Sequence, residues 1–341
     1  MILINDKIIT RKDVAKLAGV SETVVSYVIN ENRYVKQEKK DLVHSAMKQL
    51  NYKPNRFARA LKGKSCKHIL MLIDQIESEY YGELISNMET YSSNSGYLLS
   101  ISIISNTKEY VSNIIAWQID AVIISSMSFS EEFIQDLIDA NILVILMKNR
   151  EYKNVEGAFI INTGLLEATE KSVLYLHENG CKNIAYIDRI SKNGHFSNLS
   201  DHRFAGYHKG MEKTGLGDNK IIITNCKSME ELQQKVLVNV KEKNIDGIFA
   251  RNDNLACIAL NTLINNGYKV PNDIQIIGID DSSHAKISIP TLSSLRMQKQ
   301  QIAKTAIDII TNYYDGNPTI SKDELLFEPE LVLRDSLKIL K

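Results

Sequence analysis

From Lys67 onward the chain alternates short apolar runs with stretches of helical period. That alternation constrains the fold more than any other feature. Strands are expected over 68–74, 97–104, 121–125, 142–147, 158–161, 183–188, 221–224, 247–250 and 274–279, with a late strand over 326–333. Helical periodicity falls between most of them, over 81–94, 133–140, 165–179, 203–214, 229–243, 254–266 and 299–313. Strands and helices alternating at this length form parallel sheets joined by crossover helices. About ten strands over roughly 275 residues imply two such sheets and hence two lobes. Open parallel sheets bind ligands beyond the carboxyl ends of their strands. With two facing sheets that place is the cleft between them.

The first 64 residues have a different texture. They hold 14 Lys and Arg against 6 Asp and Glu, whereas the rest hold 27 against 35. A basic head on an acidic body points to nucleic acid; a solvated basic surface without a partner is the alternative that charge alone leaves open. The stretch "DVAKLAGVSETVVSYVIN" (13–30) resolves it further. Thr10 and Asp13 have the form of a capping box, opening a helix with Val14, Ala15, Leu17 and Ala18 on its apolar face. Gly19 suits a left-handed helix end. Ser21 caps a second helix, in which Val24, Val25, Val28 and Ile29 point inward. A third helix is expected over 37–50, with Leu42, Val43, Ala46, Met47 and Leu50 inward. Two short helices joined by a tight Gly turn, with a third behind them, make a helix-turn-helix unit.

Its second helix then presents Glu22, Thr23, Ser26 and Tyr27 outward. Glu accepts from cytosine N4 and Thr touches a thymine methyl. Thr10, Ser21, Ser26 and Asn30 are small polar groups suited to the DNA backbone, with capping as the alternative for Ser21. Lys36 can meet a phosphate but leaves the third helix without a side-chain acceptor. Next comes "NYKPNRFARALKGKS" (51–65), where Pro54 stops the third helix. Asn55 can cap a short helix over 56–62 that carries Arg56 and Arg59 and is too short to be stable alone.

Several classes are excluded. The N-terminal "MILINDKIITRKD" is too short and charged for a secretory signal, and no apolar run is long enough for a membrane span; a cytoplasmic protein is expected. The four cysteines show no C-x-x-C spacing, so neither zinc nor redox chemistry is expected. Neither a G-x-G-x-x-G nor a P-loop follows any strand, and no G-x-S-x-G or H-E-x-x-H occurs. No catalytic residue, metal or cofactor is therefore expected.

Taken in order, "DVAKLAGVSETVVSYVIN", "AMKQLNYKPNRFARALKGK", "HRFAGY" (202–207), "ARNDNLA" (250–256), "VPNDIQIIGIDD" (270–281), "PTLSSLR" (290–296) and "LVLRDS" (331–336) resemble the lactose-repressor (LacI/GalR) family of bacterial transcription regulators over essentially the whole chain. The resemblance implies an α/β protein with a small all-α head and a two-lobed body like the periplasmic binding proteins. The boundaries it implies are a helix-turn-helix domain at 1–52, a hinge at 53–65 and an effector and dimerisation domain at 66–341. Within the body one lobe takes about 66–164 and 292–320, the other about 165–291 and 321–341. It further implies a homodimer on a pseudo-palindromic double-stranded operator, with Leu61 as an apolar wedge in the minor groove.

In the cleft, Arg203, Asn252 and Asp280 stand where the family binds its effector, expected to be a sugar or sugar derivative. Tyr80 or Tyr81 would stack on it, and Ser125 and Lys148 would line the opposite side. The chain departs from the pattern in four places. Tyr27 stands where Arg is frequent, and Lys36 where Ser or Thr is. "SEYY" (78–81) replaces an N-P-F-F loop, and Arg189-Ile190 replaces a Gly-Pro. A repressor gated by a small molecule is the reading taken. A sugar-binding protein without DNA function, or a regulator gated by a protein corepressor, are the alternatives.

Overall fold

The computed structural model describes residues 9–30, 33–53, 65–316 and 324–338. The chain divides into two compact units, 1–66 and 67–341.

The first unit holds α1 (Arg11–Ala18), α2 (Glu22–Asn30) and α3 (Gln37–Gln49). The expected capping box closes: the Thr10 N–H donates to Asp13 Oδ2 at 2.9 Å and the Asp13 N–H to Thr10 Oγ1 at 3.4 Å. Gly19 ends α1 at φ 64°, the left-handed region that costs other residues a clash at Cβ. Ser21 Oγ accepts from the Val24 N–H at 3.3 Å. Lys36 precedes α3 with no side-chain cap. Val14, Val25, Val28, Val35 and Val43 form the buried centre. Two residues expected inside, Leu17 and Leu42, are instead 49% and 52% exposed. Three short helices meet along narrow stripes, which Val14, Ala15, Ala18, Val43 and Ala46 already fill. The expected hinge helix, with Asn55, Arg56, Arg59 and Leu61, lies outside the described residues, as does the Asn30 side chain.

The second unit begins with β1 (His68–Ile73), α4 (Glu79–Asn94), β2 (Leu98–Ile103), α5 (Lys108–Ala116), β3 (Ala121–Ser125), α6 (Glu131–Asp139), β4 (Leu143–Lys148) and β5 (Phe159–Asn162). It continues with α7 (Leu165–Glu178), β6 (Ile184–Ile187), α8 (His202–Lys213), β7 (Ile221–Ile223), α9 (Met229–Lys243), β8 (Gly247–Ala250), α10 (Asp253–Asn265), β9 (Gln275–Ile279), α11 (Ser283–Ile287) and β10 (Ser293–Arg296). It ends with α12 (Lys299–Tyr314), β11 (Leu325–Leu326) and β12 (Glu330–Val332).

Two sheets result, ordered β11-β5-β4-β3-β1-β2 and β12-β10-β9-β8-β6-β7. Every pairing is parallel except β10 with β12. Strand β1 is buried on both faces, with Ile69 to Ile73 at 1% exposure or less, as an apolar run covered by crossover helices must be. α12 packs on α4 and so belongs with the first sheet.

The strand expected over 326–333 is in fact two strands in different sheets. β10, which was not expected, joins the second sheet. The first lobe therefore resumes after β10 rather than at residue 292, and the last segment serves both sheets rather than the second alone. The chain passes between the sheets after β5, after β10 and between β11 and β12. Gly164 sits at the first passage with φ +67°, and a Cβ there would lie 2.7 Å from Phe327 O and 2.8 Å from Pro329 Cδ. Two passages thus touch backbone to backbone, which only glycine allows.

Candidate functional site

Both sheets bring the carboxyl ends of their strands to one cavity of about 310 Å³, near the lower end of the range for small-molecule sites. From the first sheet come Asp74 after β1, Tyr80 and Tyr81 in the first turn of α4, Met127 after β3 and Asn149 after β4. From the second come Arg189 after β6, Arg203 in the first turn of α8, Arg251 and Asn252 after β8 and Asp280 after β9. Strand-end loops converge here because parallel strands deliver all their carboxyl ends to one edge.

The first-sheet wall is fixed by internal hydrogen bonds. Asp74 accepts from Ser126 Oγ at 2.6 Å, Ser128 Oγ at 2.8 Å and the Met127 N–H at 2.7 Å, which sets the loop after β3. Tyr81 donates its hydroxyl to Ser125 O at 2.9 Å and meets Tyr80 edge-on at 5.3 Å between centroids. Asn149 donates to Ser125 Oγ at 3.1 Å and accepts from Thr163 Oγ1 at 3.0 Å. The Tyr80 hydroxyl is buried with no partner among the described residues. Burial raises both phenols, Tyr81 to about 12, so both are neutral donors at neutral pH.

The second-sheet wall is cationic. Asp201 caps α8, accepting from the Arg203 N–H at 3.0 Å. Its other oxygen receives the Arg251 guanidinium and lies 3.4 Å from Arg189. Burial alone would raise Asp201; Arg251 and Arg203 outweigh it and hold the carboxyl at about 2. Arg251 also donates to Ser197 Oγ at 2.7 Å, drawing the loop after β6 onto the network. Asn252 caps α10, accepting from the Leu255 N–H at 3.0 Å.

Asp280 differs. No hydrogen bond reaches its carboxylate among the described residues, and its backbone sits at φ 110°. Burial raises its carboxyl to about 7; Arg203 opposes the shift and Asp253 adds to it. Folded Asp280 therefore keeps a proton between about pH 4 and pH 7 that the unfolded chain has released. Stability falls as pH rises through that window. Asp280→Asn is expected to raise the urea midpoint at pH 7, with the gain shrinking toward pH 4. An equal gain at both pH values would contradict this electrostatic picture.

The cavity thus gathers Tyr80, Tyr81, Arg203, Asn252 and Asp280, as expected from sequence. Two expected members do not line it. Ser125 is fully buried behind Tyr81 and Asn149, which it anchors. Lys148 turns away to an ion pair with Glu324 at 3.0 Å, because the segment leading into β11 brings an acid beside it. Asp253 is buried too, holding the Ser282 N–H at 2.7 Å and Ser294 Oγ at 2.6 Å. Arg189 lines the wall from the loop where Arg189-Ile190 replaces the family's Gly-Pro, a loop expected at the cleft. Sequence reading missed Asp74, Asn149 and Arg251 as wall residues; the available signal was their position, one residue past β1, β4 and β8.

On the head, Thr10, Ser21, Glu22, Thr23 and Lys36 are exposed, while Ser26 and Tyr27 are half-buried. Tyr27 packs partly on the core, and the Arg33 guanidinium lies over its ring at 5.3 Å. Arg33 was not expected at this face.

Comparison with known proteins places these features. Residues 10–55 match the bacterial regulatory proteins of the lacI family, and residues 173–337 match a periplasmic binding protein-like domain. The HTH-type transcriptional repressor PurR of Actinobacillus pleuropneumoniae serotype 3 is 30% identical over 337 residues, covering 96% of this chain and 98% of that one. Among solved structures, the lac repressor dimer bound to operator and the anti-inducer ONPF shares the fold, with TM-score 0.79 at 22% identity over 97% of this chain and 100% of that one. A LacI family regulator from Enterococcus faecium with bound ribose does so with TM-score 0.68 at 18% identity, over 81% of this chain and 100% of that one. The chain belongs to the lacI family of bacterial regulatory proteins, as a DNA-binding transcriptional regulator with a periplasmic-binding-protein-like ligand domain.

Proposed function

We propose that this protein is a homodimeric, operator-specific repressor gated by a small carbohydrate-class effector in the cleft. The observation that carries the reading is a cleft wall in which the Arg203 donor fork and the Asp280 acceptor both lack side-chain hydrogen bonds among the described residues. A donor fork facing an acceptor suits a polyol, whose hydroxyls do both. The ribose found in the Enterococcus faecium protein supports that class.

On the head, Glu22 and Thr23 open α2 exposed to solvent and read base edges. Ser21, Ser26, Asn30, Thr10 and Lys36 meet the backbone of the DNA. Tyr27 holds Arg33 at the same face. Leu61 wedges into the minor groove between half-sites, Arg56 and Arg59 meet phosphate or the groove, and Asn55 belongs to the same DNA-contacting segment. A second copy covers the edge strand β2, where Leu98 and Ile103 are more than half exposed; uncovered apolar edges invite pairing. The lac repressor seen as a dimer on operator supports a dimer on DNA. Such a regulator works in the cytoplasm, and among the described residues no helix is long and apolar enough to cross a membrane.

Selection of bound sequences from random duplexes tests the DNA reading. A two-fold related pair of half-sites should be enriched. Glu22→Gln or Thr23→Ala should relax the preference at one position per half-site by about 1–3 kcal/mol. Enrichment of an unpaired half-site would overturn the dimer. An unchanged preference in both variants would remove α2 as the reader.

A further inference from the structure

We infer that the cleft contains an oxyanion subsite built on Arg189 and Arg203, so that its ligand carries a carboxylate or phosphate. The inference rests on the cleft being the effector site and narrows the effector to an acidic sugar derivative.

Three guanidinium groups come to one wall from distant parts of the chain, Arg189, Arg203 and Arg251. Their counter-charge is unevenly shared. Asp201 is taken up by Arg251 and, more loosely at 3.4 Å, by Arg189. Its second oxygen is occupied by the Arg203 backbone N–H. Asp188 is also filled: it accepts from the Ser197 N–H at 2.9 Å and hydroxyl at 2.6 Å, from Thr224 Oγ1 at 3.0 Å and from the Arg189 N–H at 2.7 Å. The Arg203 guanidinium makes no side-chain hydrogen bond among the described residues, and the Nε atoms of Arg189 and Arg203 are both buried without an acceptor.

Arginine carries five donors in a fixed fork and cannot shed its charge to escape burial. Leaving such donors unmatched is costly when water is excluded. Burial and the Arg251 guanidinium, joined by that of Arg203, pull Arg189 below the usual arginine range against the opposing carboxylates. Asp201 lies beside Arg189 and Asp280 acts on Arg203, yet neither carboxylate gives those guanidiniums a close two-pronged partner. A neutral sugar supplies hydroxyl acceptors but leaves the like charges facing one another. A carboxylate or phosphate supplies acceptors and charge together, in the two-pronged geometry that a guanidinium matches. Arg251 is a positioning residue here, locked by Asp201 and Ser197 behind the other two. Asp280 remains for a donor on the other end of the ligand.

The test uses the full chain, with thermal shift and calorimetry at matched ionic strength. The probes are glucose, gluconate, glucose 6-phosphate and inorganic phosphate. At least one oxyanion probe should bind saturably, and glucose at least roughly 10-fold more weakly, as expected for hydrogen bonds to charged groups. Gluconate ahead of the phosphates identifies a carboxylate ligand; the reverse identifies a phosphate. Arg189→Gln should weaken that binding roughly 10-fold or more, and Arg189→Lys should restore part of it. If no oxyanion probe outperforms chloride, or if Arg189→Gln binds as wild type does, the subsite does not exist. The second result would place the anions on the basic head instead. Glucose binding as well as glucose 6-phosphate, with both lost in Asp280→Asn, would overturn the oxyanion claim while leaving the effector cleft intact. Oxyanion binding that needs Arg189 yet leaves DNA affinity unmoved would uphold the subsite and sink the gate.

Discussion

Raising salt from about 50 to 200 mM is expected to weaken operator binding by roughly 10³–10⁵. The head concentrates basic residues, 14 against 6 acids in the first 64 positions, and Lys12, Lys16, Arg33, Lys36 and Lys39 stand exposed on it. A dimer brings two such heads, so about 6–10 phosphates are neutralised, and each contact releases condensed counterions. The acidic body works the other way, repelling DNA from everything but the head. Fluorescence anisotropy of a labelled operator at stepped salt gives the slope. A near-flat slope would mean that phosphate contacts do not dominate, against the reading of the head as the DNA-binding surface.

Asp201→Ala is expected to cost about 3–5 kcal/mol, because it strips the counter-charge from a buried guanidinium. Asp201 and Arg251 are 1% and 9% exposed at their side chains, and removing the acid leaves Arg251 and Arg189 facing one another. The unfolding equilibrium of the body should shift by roughly 10²–10³·⁵, at about 1.4 kcal/mol per factor of ten. The single tryptophan, Trp117, lies in the body and reports the transition in urea. Lys171→Ala serves as the control. Its pair with Glu328 is exposed at 66% and 56%, where an ion pair contributes at most about 1 kcal/mol. Equal effects of the two variants would show that the Asp201 network does not organise the wall.

The parts of this architecture that were legible in the sequence are those with a local cause. The capping box at Thr10, the left-handed Gly19 and the Ser21 cap depend on neighbours within three residues. Strands β1, β3 and β8 are apolar runs; β3 and β8 have the expected bounds, and β1 ends one residue early, at Ile73. What escaped was set by distant partners. β10 is four residues long with three Ser and Leu positions, and it is a strand only because β9 and β12 flank it. The run after residue 324 looks like one strand, yet the chain passes from one sheet to the other at 327–329. Arg251 sits inside a stretch that was singled out for Asn252, but its partner Asp201 is fifty residues earlier. Lys148 had the right position for the cleft and was drawn off by Glu324, which no local pattern reveals. Leu17 and Leu42 followed the helical period but exceeded what three short helices can cover.

The central claim is that the cleft and the operator are coupled, and one titration tests it. Operator affinity is measured for wild type, Arg203→Ala and Asp280→Ala, with and without a panel of sugars, sugar phosphates, sugar acids and nucleobases. Wild type should respond to at least one compound by roughly 5–150-fold, a coupling of about 1–3 kcal/mol. Operator should change the affinity for that compound by the same factor. Both variants should bind operator and lose the response. A compound that shifts wild type and both variants equally, or a panel that shifts none of them, would contradict the account and favour a gate that works through a protein partner.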